Sequence, residues 1–301
     1  MQLIKQAKLI AKPNFAIPLI VRAIKKAAAL IDSNTSVLQN NNTVVSLLLK
    51  ERMNYMLMSL GIIGFIIAVF GFNPWATRNK SASVLSDTFT SLETGTERKA
   101  NGIYEVRALT RMPNVTAEMV RWWFADYLQT TEQYKKWNPK AHVWMDWENK
   151  VPGEVIGASH LVHEYTGTTL QKLRIQFVEP KEILDDYEPK DDRFVICARA
   201  GLLDKPLNVT HMCHIVENTE YGAQMRSAFW MGYVEKRDGN KQVASIEGLL
   251  GNTALARMLL ISKQDSIDLM SHAIEEMNVL ASFLPELYEQ EVIAKQKTTV
   301  K

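Results

Sequence analysis

The chain has 301 residues, 47% hydrophobic and 23% charged, with a net charge of +2. That composition suits one sizeable globular domain with extra segments, and it excludes a global electrostatic attraction to nucleic acid. Two cysteines, Cys197 and Cys213, are too few for a disulfide framework, and no zinc-finger spacing is present. Two independent buried thiols are the expected state. A single bridge is the alternative if the two face each other on adjacent strands.

Residues 1–53 are basic and partly amphipathic, a pattern that lies well on an anionic membrane surface. Residues 54–73 follow as an expected transmembrane helix, because Tyr55 to Phe72 contains no charged residue. Lys5, Lys8, Lys12, Arg22, Lys25 and Lys26 precede it, so the positive-inside rule puts the N-terminus in the cytoplasm. The expectation is therefore a single-pass membrane protein with its C-terminal domain on the non-cytoplasmic side. Residues 74–101, rich in Ser, Thr, Lys and Glu, read as a linker.

Residues 102–292 form the expected folded domain, and 293–301 a tail. Ile103 to Leu109 alternates as a strand, and Thr116 caps a helix through Met119, Trp122, Trp123 and Tyr127. Further strands are expected at 141–148, 155–165, 170–178, 194–200, 209–217, 224–235 and 242–249, with a turn at Arg237-Asp-Gly-Asn240. A long helix closes the chain from Ser262 to Glu289, started by Ser262 and Asp265 as a capping box. Consecutive strands and one terminal helix predict an α+β fold, an antiparallel sheet wrapped around that helix with a cavity between them.

The closing helix carries His272 and Glu276, one turn apart on one face, which is half of a metal site. Ile267, Met270, Ile274, Met277, Ala281 and Leu284 form one apolar stripe. Leu269, His272, Glu276, Val279, Leu280 and Phe283 form another on nearly the opposite side. The ionisable pair thus lies among apolar neighbours, where a bound cation would offset the cost of burying charge. Other candidate ligands are His142, His160, His163, Glu164, His211 and His214, and spacing alone does not select among them. No Gly-x-Ser-x-Gly nucleophile motif and no glycine-rich phosphate loop is present. Arg226 either orients a substrate or pairs with Glu220 or Glu247. Trp122, Trp123, Trp144, Trp147 and Trp230 serve as core or cavity wall.

Several segments resemble one known family. They are Arg111-Met-Pro-Asn-Val-Thr-Ala-Glu-Met-Val-Arg-Trp-Trp-Phe124, Tyr134-Lys-Lys-Trp-Asn-Pro-Lys-Ala-His142, His163-Glu-Tyr-Thr-Gly167, Met225-Arg-Ser-Ala-Phe-Trp-Met-Gly232 and the terminal His272-x-x-x-Glu276. In this order they resemble the 2,4-diacetylphloroglucinol hydrolases and their phloretin-hydrolase-type relatives. The resemblance implies a helix-grip fold of Bet v 1/START type. It implies one zinc ion held by His142, Glu164, His272 and Glu276. It further implies hydrolysis of the carbon–carbon bond between an acyl group and a polyhydroxylated ring, with zinc-activated water as nucleophile. The implied partner is a small phenolic ketone, and a homodimer is one implied assembly. Tyr134 matches a family position that binds a phenolic hydroxyl. Tyr233 is a nearby candidate for a second such tyrosine, and Met145 stands where an asparagine is expected. A non-catalytic helix-grip module carrying an apolar or aromatic ligand at the membrane is the competing expectation.

Overall fold

The computed structural model describes residues 49–59, 61, 84–85 and 90–294. The chain divides into two compact units, Met1–Phe72 and Asn73–Lys301. In the first, residues 49–59 are helical and mostly exposed. Most of the expected transmembrane segment, residues 60 and 62–73, lies outside the described residues. Among the described residues no helix is long and apolar enough to cross a membrane. The single-pass placement, and the orientation derived from it, are corrected accordingly. The described part of that helix opens on Lys50, Glu51 and Arg52.

The second unit begins, among described residues, inside the expected linker. There Val84 is fully buried, and Gly95–Arg98 forms strand β1 against β2 (Tyr104–Pro113). A glycine and three polar residues on a sheet edge read in sequence like a solvated tether. Two short helices follow, α1 (Ala117–Trp122), continued by a wider turn at Trp123–Tyr127, and α2 (Thr131–Trp137). Thr116 caps the first, and Thr130 with Gln133 forms a capping box on the second. Then come β3 (His142–Glu148), β4 (Ser159–Thr166), β5 (Thr169–Val178), β6 (Arg193–Leu202), β7 (Leu207–Thr219), β8 (Gly222–Asp238) and β9 (Lys241–Val243). Helices α3 (Ile246–Gly251) and α4 (Ala254–Leu260) lead to the long α5 (Lys263–Tyr288), capped by Ser262 and Asp265 as expected.

All strands pair antiparallel in the order β1-β2-β8-β7-β6-β5-β4-β3, with β9 beside β8. Helix α5 packs against both β2 and β4. Those strands stand five places apart, which is about 24 Å in a flat sheet and twice the diameter of a helix. The sheet therefore curls around α5, as the helix-grip expectation requires.

Both faces of the sheet are covered. On the inner face Met277, Leu280 and Leu284 of α5 meet Val162, Phe177, Ile196, Val216 and Met225. On the outer face Cys197, Cys213, Ile215, Ala228 and Trp230 pack under Val84, Ile103, Ile183 and Leu184. Cys197 and Cys213 are direct register partners on β6 and β7 and form a disulfide, which corrects the expectation of two independent thiols. Two residues 16 apart in sequence meet only because the β6–β7 register sets them opposite each other, and spacing does not reveal that.

Candidate metal centre

Five side chains converge where α2, β3, β4 and α5 meet. The α2 capping box sets the phase of that helix, so that Tyr134 and Trp137 turn inward and are buried. The Tyr134 backbone carbonyl engages Nδ1 of His142 at 2.9 Å, which leaves Nε2 of the imidazole free to face the site. That Nε2 is buried and has no hydrogen-bond partner; its nearest acidic atom is Oε2 of Glu276 at 3.5 Å. His142 and Glu164 are direct register partners across β3 and β4, and a register shift right after His142 bends the strand there.

The long helix supplies the other two groups. Nε2 of His272 lies 3.6 Å from Oε2 of Glu276 and 3.7 Å from Oε1 of Glu164. Ligand atoms of His142, His272 and Glu276 all lie within 4.8 Å of one another, and all three residues are buried. Glu164 closes the set through His272. Its other oxygen accepts a short hydrogen bond from the Tyr134 hydroxyl. The Tyr134 ring stacks on His142 at 3.7 Å, and the Trp137 indole donates to the Glu276 backbone carbonyl at 3.0 Å. Backbone and aromatic contacts thus hold the ligand candidates in place.

The electrostatics follow from burial and pairing. Burial disfavours the charged form of His272, but the Glu164 and Glu276 carboxylates outweigh it and raise its pKa above the usual histidine value. Burial likewise opposes ionisation of Glu276, yet His272 and His142 hold its pKa below the usual value. Burial first, then the Glu164 charge, push the Tyr134 phenol well up, so it stays a hydrogen-bond donor. Two imidazoles and two carboxylates are ordinary ligands for Zn²⁺ and balance its charge. The orphaned Nε2 of His142 is the atom that most needs such a partner.

Arg226 and Tyr233 do not join this group. Arg226 lies on the outer face of β8, paired with Glu93 at 3.1 Å and Glu217 at 3.2 Å. The partners are thus other than Glu220 and Glu247. Tyr233 stacks on His211 at 4.3 Å in the outer cluster. His163 also faces outward, against Trp144. Two further candidate ligands, His160 and His214, lie on the inner face but outside the ligand group. His214 shares the inner side of β7 with Met212 and Val216, bonds Ser227 through Nδ1 at 2.8 Å and feels the charge of Glu276. His160 is sandwiched between Trp147 and Tyr134. Strand parity is the signal that marks both: each alternates with apolar inner-face residues.

An antiparallel sheet gripping a terminal helix, with two histidines and two glutamates gathered between them, defines a buried-site α+β enzyme scaffold. The DAPG hydrolase PhiG domain family matches residues 77–289, and the chain belongs to that family and is a hydrolase by that membership. It is 27% identical over 229 residues to a 2,4-diacetylphloroglucinol hydrolase of Pseudomonas sp, covering 69% of this chain and 74% of that protein. It is 26% identical over 231 residues to phloretin hydrolase of Eubacterium ramulus, covering 72% and 78%.

Proposed function

We propose that the chain is a zinc-dependent hydrolase that cleaves the carbon–carbon bond joining an acyl group to a polyhydroxylated aromatic ring, as in acylphloroglucinols. The observation that carries this reading is the buried convergence of His142, His272 and Glu276 with Glu164, backed by Tyr134. The names of the relatives give the substrate class.

His142, Glu164, His272 and Glu276 would hold the metal. A zinc ion held there would supply Lewis-acid polarisation of the acyl carbonyl and a water made more nucleophilic near neutral pH. The overall step adds water to the acyl carbon, breaks its bond to the ring, releases the acyl group as a carboxylic acid and leaves a hydrogen on the ring carbon. The departing electron pair is stabilised because the keto tautomer of such a ring spreads it onto oxygen.

The protein's own groups manage position and protons. Tyr134, kept protonated, donates either to Glu164 or to a phenolic oxygen of the substrate. Its stacked ring fixes the plane of His142. His214 is held neutral, with Nδ1 on Ser227, so its ring adds no positive charge to the site. The apolar inner wall, including Met145 and Trp147, excludes bulk water and accepts the faces of an aromatic ring.

Incubating the purified protein with a panel of acylated phloroglucinols and measuring the carboxylic acid released tests the reading. The expected result is stoichiometric acid and deacylated ring from at least one member, and none from His272→Ala. Tight binding of the panel without any acid released would instead make this a ligand-carrying module.

A further inference from the structure

The outer face of the sheet carries a second buried polar cluster, remote from α5. Register sets Ser159, Gln176, Arg199 and His211 side by side across β4, β5, β6 and β7, with Arg174 two residues before Gln176 on the same face of β5. The β8–β9 turn folds over them. Asn240 Oδ1 accepts from Arg174 Nη2 at 2.6 Å, and its backbone carbonyl accepts from Gln176 Nε2 at 3.0 Å. Ser159, Arg174, Gln176, Arg199 and Asn208 are each more than nine-tenths buried.

Five atoms of this cluster are buried without a hydrogen-bond partner: Ser159 Oγ, Arg174 Nη1, Gln176 Oε1, Arg199 Nε and Asn208 Nδ2. Arg199 Nε lies 3.7 Å from Glu235, too far for a hydrogen bond. The contact of Asn208 Oδ1 with Arg237 Nη1, at 3.5 Å, fixes which end of that amide is left over. Three of the five are therefore obligate donors, the serine hydroxyl can donate, and one is an acceptor. Leaving a buried polar atom unmet is costly, so four donors and one acceptor on one face call for a ligand.

Charge narrows the kind of ligand. Arg174 pairs with Glu148 and Arg199 with Glu182, yet these acids are 47% and 45% exposed while the arginine side chains are 6% and 9% exposed. The carboxylates stand at the rim and the guanidinium groups inside. Arg237 adds a third cation, held by neutral acceptors, Asn208 Oδ1 and the Leu202 carbonyl at 2.8 Å. Burial, then the charge of Arg174, lower the pKa of Arg237. Glu235, 22% exposed, 3.7 Å from Arg199 Nε and shared with His211, is the one carboxylate set deeper than the rim, so the buried donors outnumber the acceptors that reach them.

We infer that this outer-face cluster of Arg174, Arg199 and Arg237 with Asn208 under the Asn240 turn is a binding site for a small oxyanion, of phosphate or carboxylate type. The inference does not depend on the proposed reaction. Isothermal titration of the full chain with inorganic phosphate, and separately with acetate, at constant ionic strength tests it. Arg237→Gln and Asn240→Asp serve as variants; Arg237 is half-buried and Asn240 exposed, so both fold. Saturable one-to-one binding of either anion is expected, weakened at least tenfold in both variants, with acid release unchanged. Binding of neither anion overturns the inference. Binding that persists in both variants, as it would if the anion went to the inner site, overturns it too.

Discussion

Tyr134 touches three parts of the inner site at once. Its hydroxyl holds Glu164, its ring stacks on His142 and its carbonyl holds the His142 Nδ1. Tyr134→Phe keeps the ring and the carbonyl and removes only the hydroxyl. Zinc content is therefore expected to stay near that of the parent protein, while kcat falls by about 10²-fold, the usual weight of a positioned proton donor. Loss of zinc together with activity would show that the hydroxyl serves the metal geometry alone. The two inner histidines give a second prediction. Burial is the main cause that holds His160 and His214 neutral, with pKa values pushed down to about 3 and about 4. The unfolded chain protonates these residues near 6.5. Below that pH the unfolded state binds protons that the folded state does not, so stability falls as pH drops from 6.5. The loss ends for each group only at its folded pKa. Each contributes a slope of up to about 1.4 kcal/mol per pH unit. Between pH 6.5 and 5, above the carboxylate range, chemical denaturation of metal-free His214→Gln should show a clearly shallower slope than the parent protein, by up to about 1.4 kcal/mol per pH unit. An unchanged slope would mean that His214 is not buried neutral.

At the scale of elements, α5 was the most legible part of the fold. Its capping box, its apolar stripes and the His272/Glu276 pair all stand in consecutive sequence, and the helix found, Lys263–Tyr288, departs little from the expected one. The β6–β7 pair was less legible, since register is a property of two strands and the chain shows only one at a time. The Cys197–Cys213 bridge follows from that register. It closes a loop of 16 residues, for which chain entropy gives about 3 kcal/mol. Replacing both cysteines by alanine should lower the free energy of unfolding by roughly that amount without changing zinc content, because the bridge lies on the outer face. A double variant as stable as the parent would show that the apolar packing around the sulfurs, not the bridge, sets stability there. The strand expected at 242–249 is only the short β9 followed by helix α3, and α4 had no counterpart in the sequence reading. Their apolar side chains, among them Ile246, Leu249 and Leu259, are mostly exposed, so no inward-facing stripe marks them.

At the scale of the whole molecule, the division between an inner chemical face and an outer structural face organises the domain. It separates residues that sequence could not sort. His142, Glu164, His272 and Glu276 could be named together only through resemblance to a family, since they come from two strands and a distant helix. Arg226 and Tyr233 seemed as eligible, but strand parity sends them outward. Arg226 there ties the stretch before β1 to the sheet through Glu93, and it also binds Glu217. Arg226→Gln should therefore destabilise the domain by about 2 kcal/mol, the usual weight of a hydrogen bond to a charged group, because Glu93 loses this partner while Glu217 keeps Arg193. The KM of the folded fraction should not move; a raised KM at unchanged stability would return Arg226 to the substrate.

The central claim is that His142, Glu164, His272 and Glu276 together hold one zinc ion on which activity depends. Its most direct test is the zinc content of the purified protein beside His142→Ala and His272→Ala, each checked for a folded spectrum. The account predicts one zinc per chain in the parent and a small fraction of that in either variant, with acid release falling in parallel. Equal and negligible zinc in all three proteins, with the parent still hydrolysing its substrate, would contradict it.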